Sequence, residues 1–156
     1  MRTTTEGQEL ITGEEGCALV AYLDGGGVPT IGYGHTAGVR LGDTCSQDQA
    51  NAWFLEDLAG IESALSAFLE PVNVTDNQFS ALASFCFNEG FGRKGVKDGF
   101  RWLASGEPST LYKCLMAADF QGAAAEFPKW HRIGNVESAG LLARRLAEQS
   151  LFNKGA

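Results

Sequence analysis

Residues 15–36 read EGCALVAYLDGGGVPTIGYGHT, and what this stretch can build decides the reading of the whole chain. A carboxylate, Glu15, closes one run, and a second, Asp24, follows nine positions later. A glycine-rich turn then leads to Thr30 and the string TIGYGHT, which ends at Thr36. Acid, spacer, acid, hydroxyl and imidazole within 22 residues is poor material for a core. It suits a cleft in which one carboxyl group gives a proton and another orients a water.

Cleaving an acetal bond between sugars needs that pair: a proton for the leaving oxygen and a nucleophile at the anomeric carbon. Glu15 is the candidate acid. A helix end would set the negative pole of the dipole beside it, and apolar neighbours such as Leu19 and Val20 would shield it; both favour the protonated form. Asp24, on a glycine-rich hairpin, is the candidate carboxylate that stays solvated and holds the water. Thr30, six residues on, would donate its hydroxyl to Asp24 and accept from the same water. His35 would donate a hydrogen bond inside the hairpin and fix its shape.

Composition limits the alternatives. The 156 residues carry 12 basic and 19 acidic side chains, a net charge of −7. That balance argues against nucleic acid and against charge-driven binding to anionic membranes. No stretch has the length and apolarity of a membrane span, and the start MRTTTEGQEL lacks the apolar run of a secretory signal. Cys17, Cys45, Cys86 and Cys114 form no CxxC pair, so no metal is expected, and they read as four small buried hydrophobes. The even count would also permit two disulfides.

Outside the hairpin the pattern is mainly helical. Thr5 with Gln8 reads as a capping box for a first helix, ended near Glu15 by Gly13 and Gly16. Ser46 with Gln49 opens a long amphipathic helix through Trp53, Phe54, Leu58, Ile61, Leu65 and Phe68, stopped by Pro71. Thr75 with Gln78 opens another, through Phe79, Leu82, Phe85 and Cys86. After a glycine-rich loop, Pro108 opens a helix through Leu111 and Met116. A short helix over 123–127 is closed by Pro128, and 138–152 forms the last. Trp53, Phe54, Trp102 and Trp130 are assigned to the core, and His131 has no role. The layout is α+β: a small β-hairpin lobe joined by a long helix to a mostly helical lobe.

The segment also resembles the active-site signature of the phage-type lysozymes, glycoside hydrolase family 24. Glu15, Asp24 and Thr30 match that family's Glu, Asp and Thr in type and spacing, and residues 30–36 match its TIGYGHT-like string. Glu14, the nearby rival to Glu15, fails on spacing and on the Glu-Gly dipeptide. Downstream, ALASFCFNEG is similar to a helix ending in a Phe-Asn-x-Gly turn. AAAEFPKW is similar to a Phe-Pro-x-Trp segment, and GLLARRLAEQSLF to a closing helix with paired arginines. The likeness runs from about residue 8 to about residue 152. It implies one lysozyme-like domain over 1–156, with a small lobe at about 14–58 and a helical lobe at about 72–156 plus the N-terminal helix.

The same resemblance implies a peptidoglycan muramidase that hydrolyses the β-1,4 bond between N-acetylmuramic acid and N-acetylglucosamine with inversion. Glu15, Asp24 and Thr30 are its catalytic set, and Tyr33, His35 and Asn88 its substrate-binding set. Either Arg144 or Arg145 would pair with Glu15. The partner is the peptidoglycan glycan strand. No cofactor, metal, nucleic acid or stable membrane association is implied. The protein would be a monomer, held in the host cytoplasm until a holin releases it to the wall. Relative to the family's shortest members, residues 91–110 are longer and carry Arg93, Lys94 and Lys97. Some members carry a signal-anchor helix that this sequence does not show, which implies either a cytoplasmic protein let out by a holin or a chain from which such an anchor has been removed. A lytic transglycosylase and a non-catalytic wall-binding phage protein are the alternatives. Asp24 and Thr30 argue against the first, because a transglycosylase holds no water, and the intact trio argues against the second.

Overall fold

A computed structural model describes residues 1–154. The elements run α1 (Thr5–Glu15), β1 (Ala18–Leu23), β2 (Pro29–Gly32), α2 (Gln47–Leu69), α3 (Asp76–Glu89), α4 (Thr110–Met116), α5 (Phe120–Glu126), β3 (Arg132–Ile133), β4 (Val136–Glu137) and α6 (Ala139–Asn153). The architecture is the expected α+β arrangement: a front hairpin, one long helix and a helical body.

The helical body is organised around α3. Nine consecutive residues of it, Gln78–Cys86, are buried, so α3 is enclosed on all sides. Phe79, Leu82 and Phe85 meet Ile11, Leu111, Leu115, Phe127 and Phe152 in one core. Each such side chain contributes roughly 1.5–3 kcal/mol through burial. The polar residues of α3 are spent on its neighbours. Ser80 Oγ accepts from the Thr4 backbone N–H at 2.9 Å, and Ser84 Oγ donates to Glu148 Oε1 at 2.7 Å.

The hairpin has no comparable core. Strands β1 and β2 are antiparallel, with Tyr22 opposite Thr30 and Leu23 opposite Pro29. Ala21 and Ile31 are buried, while Val20, Leu23 and Val28 stand in solvent. A two-stranded hairpin is marginal alone, and this one leans on α2. Gly32 needs its positive φ of 64° there, and an added Cβ would lie 3.3 Å from Ala50 Cβ. His35 Nδ1 lies 2.8 Å from Asp57 Oδ2, and its ring stacks on Trp53 at 4.9 Å. A third extended segment covers the far edge of β1, with Cys45 N donating to Leu19 O at 3.0 Å.

Several local expectations shift. Thr4, not Thr5, caps α1, accepting from Gly7 N, and the Gln8 side chain donates to the Thr3 carbonyl instead of closing a box. Ser46 caps α2 through Gln49 N, while Thr75 and Gln78 make the full reciprocal box on α3. Pro108 pairs with Trp102 in a β-bridge, and α4 begins at Thr110 under a Ser109 cap. The helix assigned to 123–127 begins at Phe120 under Asp119, and Pro128 lies inside a following 3₁₀ turn. The short hairpin β3–β4 was unread, because two-residue strands carry no measurable alternation. The cysteines are all free thiols and are not uniformly interior: Cys86 is buried, Cys45 and Cys114 are half-buried, and Cys17 is exposed. Burial pushes the Cys86 thiol well up.

Candidate active site

Glu15 is the last residue of α1, and Gly16 makes it so. Gly16 adopts φ 64°, and its N–H donates to Thr12 O at 3.1 Å, which stops the helix and turns the chain into β1. Leu19 and Val20 do not shield Glu15 as expected. Both are exposed on β1, where an irregular register between Ala18 and Tyr22 breaks the inside–outside alternation. What surrounds the carboxylate comes from far along the chain. Arg144 Nη1 donates to Glu15 Oε1 at 2.7 Å. The open choice between the two arginines is thus settled: Arg144 meets Glu15. Its second oxygen, Oε2, faces the hairpin, 3.9 Å from where a Cβ on Gly34 would sit.

Arg144 is itself held at every nitrogen. Nε donates to Glu148 Oε1 at 3.2 Å and Nη2 to the Ser84 carbonyl at 3.3 Å. Arg145 turns the other way. Its Nη2 donates to Asn88 Oδ1 at 2.7 Å, its Nη1 lies 3.7 Å from Glu89 Oε1, and its Cζ sits 4.8 Å over the Phe85 ring. Both arginines are buried, as is Glu148. Burial pushes the Glu148 carboxyl up against the pull of both guanidiniums, and pushes Arg145 down. Glu148 and Ser84 were not read from the sequence. A signal existed for Glu148, which stands four residues after Arg144 and three after Arg145 on one helix face.

Asp24 sits at the mouth of the hairpin turn. Its Oδ1 accepts from the backbone N–H groups of Gly26 and Val28, both at 2.8 Å, which leaves Oδ2 outside the turn's hydrogen bonds. Thr30 is buried and differs from expectation in its bonding. Its hydroxyl donates to the Val28 carbonyl at 2.9 Å and not to Asp24, so its oxygen lone pairs are what it offers to the cleft.

One cleft of about 290 Å³ is lined by Glu15, Asp24 and Thr30 together with Tyr22, Gly34, Thr36, Phe87 and Asn88. The sequence trio is therefore brought to a single cavity, and Asn88 with it. Tyr33 and His35 are placed elsewhere. Tyr33 packs on Phe54 at 5.5 Å between ring centres and accepts from Gln47 Nε2 at 3.0 Å. His35 is sealed between the hairpin and α2 by Asp57 and Trp53. The expected hydrogen bond of His35 exists, but it runs to the long helix and not within the hairpin.

With that geometry in view, the comparisons with known proteins carry weight. A family model described as phage lysozyme matches residues 12–148. An endolysin of Acyrthosiphon pisum secondary endosymbiont phage 1 is 36% identical, over 97% of this chain and 98% of its own length. The active form of the P1 phage endolysin Lyz superposes with a TM-score of 0.81 at 26% identity, over 99% of this chain and 86% of that one. The muramidase domain of SpmX from Asticaccaulis excentricus gives a TM-score of 0.81 at 30% identity, over 97% of each chain. The chain belongs to the phage lysozyme family. Membership supports a peptidoglycan-lytic glycosidase function.

Proposed function

We propose that the protein is a muramidase that hydrolyses the β-1,4 bond between N-acetylmuramic acid and N-acetylglucosamine, inverting the anomeric carbon. The observation that carries this reading is the shared cleft, with Glu15 on one wall and Asp24 and Thr30 on the hairpin. Glu15 Oε2, the oxygen not held by Arg144, delivers the proton to the departing sugar oxygen. A water donates one O–H to Asp24 Oδ2 and the other to Thr30 Oγ1, whose own hydrogen is committed to Val28. One of the water's two lone pairs is then aimed at the anomeric carbon. Asp24 takes the water's proton as the new C–O bond forms. A water held between two acceptors supports direct displacement over a covalent intermediate on Asp24, and direct displacement inverts. Asn88 Oδ1 is committed to Arg145, which leaves its amide N–H₂ to receive a sugar oxygen. Tyr33 and His35 act on the substrate through the hairpin's shape and not by contact.

The protein works as a monomer on the glycan strand. Among the described residues no helix is long and apolar enough to cross a membrane. On the strength of its family membership, we place the protein in the host cytoplasm until a holin admits it to the wall. The deciding experiment is lysis of permeabilised Gram-negative cells by wild type beside Glu15→Gln. The variant should lose about 10²–10⁴ in rate, the contribution of a positioned general acid. Undiminished lysis would sink the assignment. End-group analysis of the fragments should find reducing muramic acid released first as the α-anomer; 1,6-anhydro ends would instead identify a transglycosylase.

A further inference from the structure

Glu148 is fully buried, and it touches both arginines that hold cleft residues, Arg144 on Glu15 and Arg145 on Asn88. Its Oε1 accepts from Ser84 Oγ at 2.7 Å and from Arg144 Nε at 3.2 Å. Its Oε2 lies 3.1 Å from Arg145 Nε, close but not aligned as a hydrogen bond. From there Arg144 extends to Glu15 and Arg145 to Asn88. One carboxylate therefore stands behind both the candidate acid and the candidate sugar ligand.

We propose that Glu148 is a positioning residue that sets the places of Glu15 and Asn88 relative to each other through Arg144 and Arg145. The inference rests on the reading of Glu15 as the general acid. Stability alone does not explain the group. A buried ion network costs desolvation that its attractions only partly offset, and well-packed apolar replacements often do as well or better. Geometry explains it better. Two adjacent guanidiniums with almost no solvent exposure repel each other and would swing toward other acids, of which Glu89 is already 3.7 Å from Arg145 Nη1. Glu148 lies between them, and Ser84 on α3 holds its Oε1 from the opposite side. Arg144 then has its Nε and Nη2 fixed, and Nη1 has one place to point. No proton or electron moves at Glu148 itself. Its effect on the reaction is the placement of Glu15 Oε2.

The test is steady-state kinetics of the full-length protein on soluble, uncrosslinked glycan strands, well below the melting midpoint of each variant. Glu148→Gln should lower kcat by at least about tenfold, as expected when a catalytic group is misplaced by a fraction of an ångström. It should raise KM as Asn88 loosens. In an Arg144→Lys background, which lacks the guanidinium fork, the same substitution should change kcat by no more than about twofold, because the two act as one unit. A folded Glu148→Gln protein with wild-type kcat, or one losing the same factor in both backgrounds, overturns the proposal. Should Glu148→Gln fail to fold, Ser84→Ala takes its place. That substitution removes one donor to Glu148 and should lower kcat about three- to tenfold, since only part of the lost hydrogen bond is felt in the placement of Glu15; unchanged kcat in folded Ser84→Ala refutes the idea. Glu15→Gln runs alongside. If it retains activity, the muramidase reading fails; if it is inactive while Glu148→Gln is normal, only the positioning role fails.

Discussion

The two carboxylates of the cleft are held in opposite ways. Asp24 is fixed by its own turn: the N–H groups that hold it belong to Gly26 and Val28, two and four residues on. Glu15 is fixed by Arg144 on α6, 129 residues away, and behind that by Glu148 on the same helix and Ser84 on α3. The hairpin that carries Asp24 exposes Val20, Leu23 and Val28 and borrows its support from α2. The helix that carries Glu15 is clamped against the interior of the body. A local turn tolerates exposure because it asks nothing of the core. A charge buried among helices survives only with its partners in place.

That contrast can be broken experimentally, first at Asp24. Asn in its place keeps an Oδ1 acceptor for the two turn N–H groups but cannot take a proton from water. Asp24→Asn should cost about 10²–10⁴ in lysis rate, while unfolding free energy moves by less than about 0.5 kcal/mol, as for a surface change. A parallel fall in stability, read by urea denaturation, would mean that the turn depends on the charge. At the other carboxylate the balance tips toward stability. Arg144→Ala leaves Glu15 without its guanidinium partner and Glu148 with Arg145 as its one cation, and should cost about 3–5 kcal/mol by the same measurement. A loss under about 1 kcal/mol would show that the buried network is as expendable as a surface pair.

The smallest effect lies at the far end of α1. Glu62 on α2 accepts from the Thr3 backbone N–H and from Arg2 Nη1, both at 2.7 Å, so the helix that ends in Glu15 is also tied at its start. Burial pushes the Glu62 carboxyl up, but the Thr3 N–H and the Arg2 guanidinium outweigh it and hold it below its ordinary 4.5. A carboxyl lowered by folding contributes stability above its unfolded value and loses it as pH falls through the folded one. The stability gap between wild type and Glu62→Gln should therefore be constant near neutrality and close as pH drops below 4.5. A gap that persists into strong acid would show that the carboxylate's charge is not what holds α1.

How legible each part was follows from the same contrast. Thr75 with Gln78 and Ser46 cap their helices as read, because a cap is decided within three residues. The first helix was misread by one position because Thr3, Thr4 and Thr5 all carry a cap-competent hydroxyl. The tertiary environment chose Thr4, whose N–H reaches Ser80. The sequence places Thr30 correctly but not its hydrogen bond, which goes to the Val28 carbonyl two residues back along the same hairpin. Trp53 was assigned to the core, and it is half-buried, stacked on His35.

The sequence by itself determined the order of the helices and of the front hairpin, the glycine that ends α1 at Glu15, and the spacing that puts Asp24 and Thr30 on one hairpin. These rest on backbone preferences and hydrogen bonds spanning a few residues. Only the tertiary structure decided that Arg144 faces Glu15 while its neighbour faces Asn88, and that Tyr33 and His35 turn toward α2 and away from the cleft. Adjacent residues on a helix point about 100° apart, so which one meets a given acid depends on how α6 is rotated against α3. That rotation is set by packing Leu151 and Phe152 into a core that no short stretch of the chain contains.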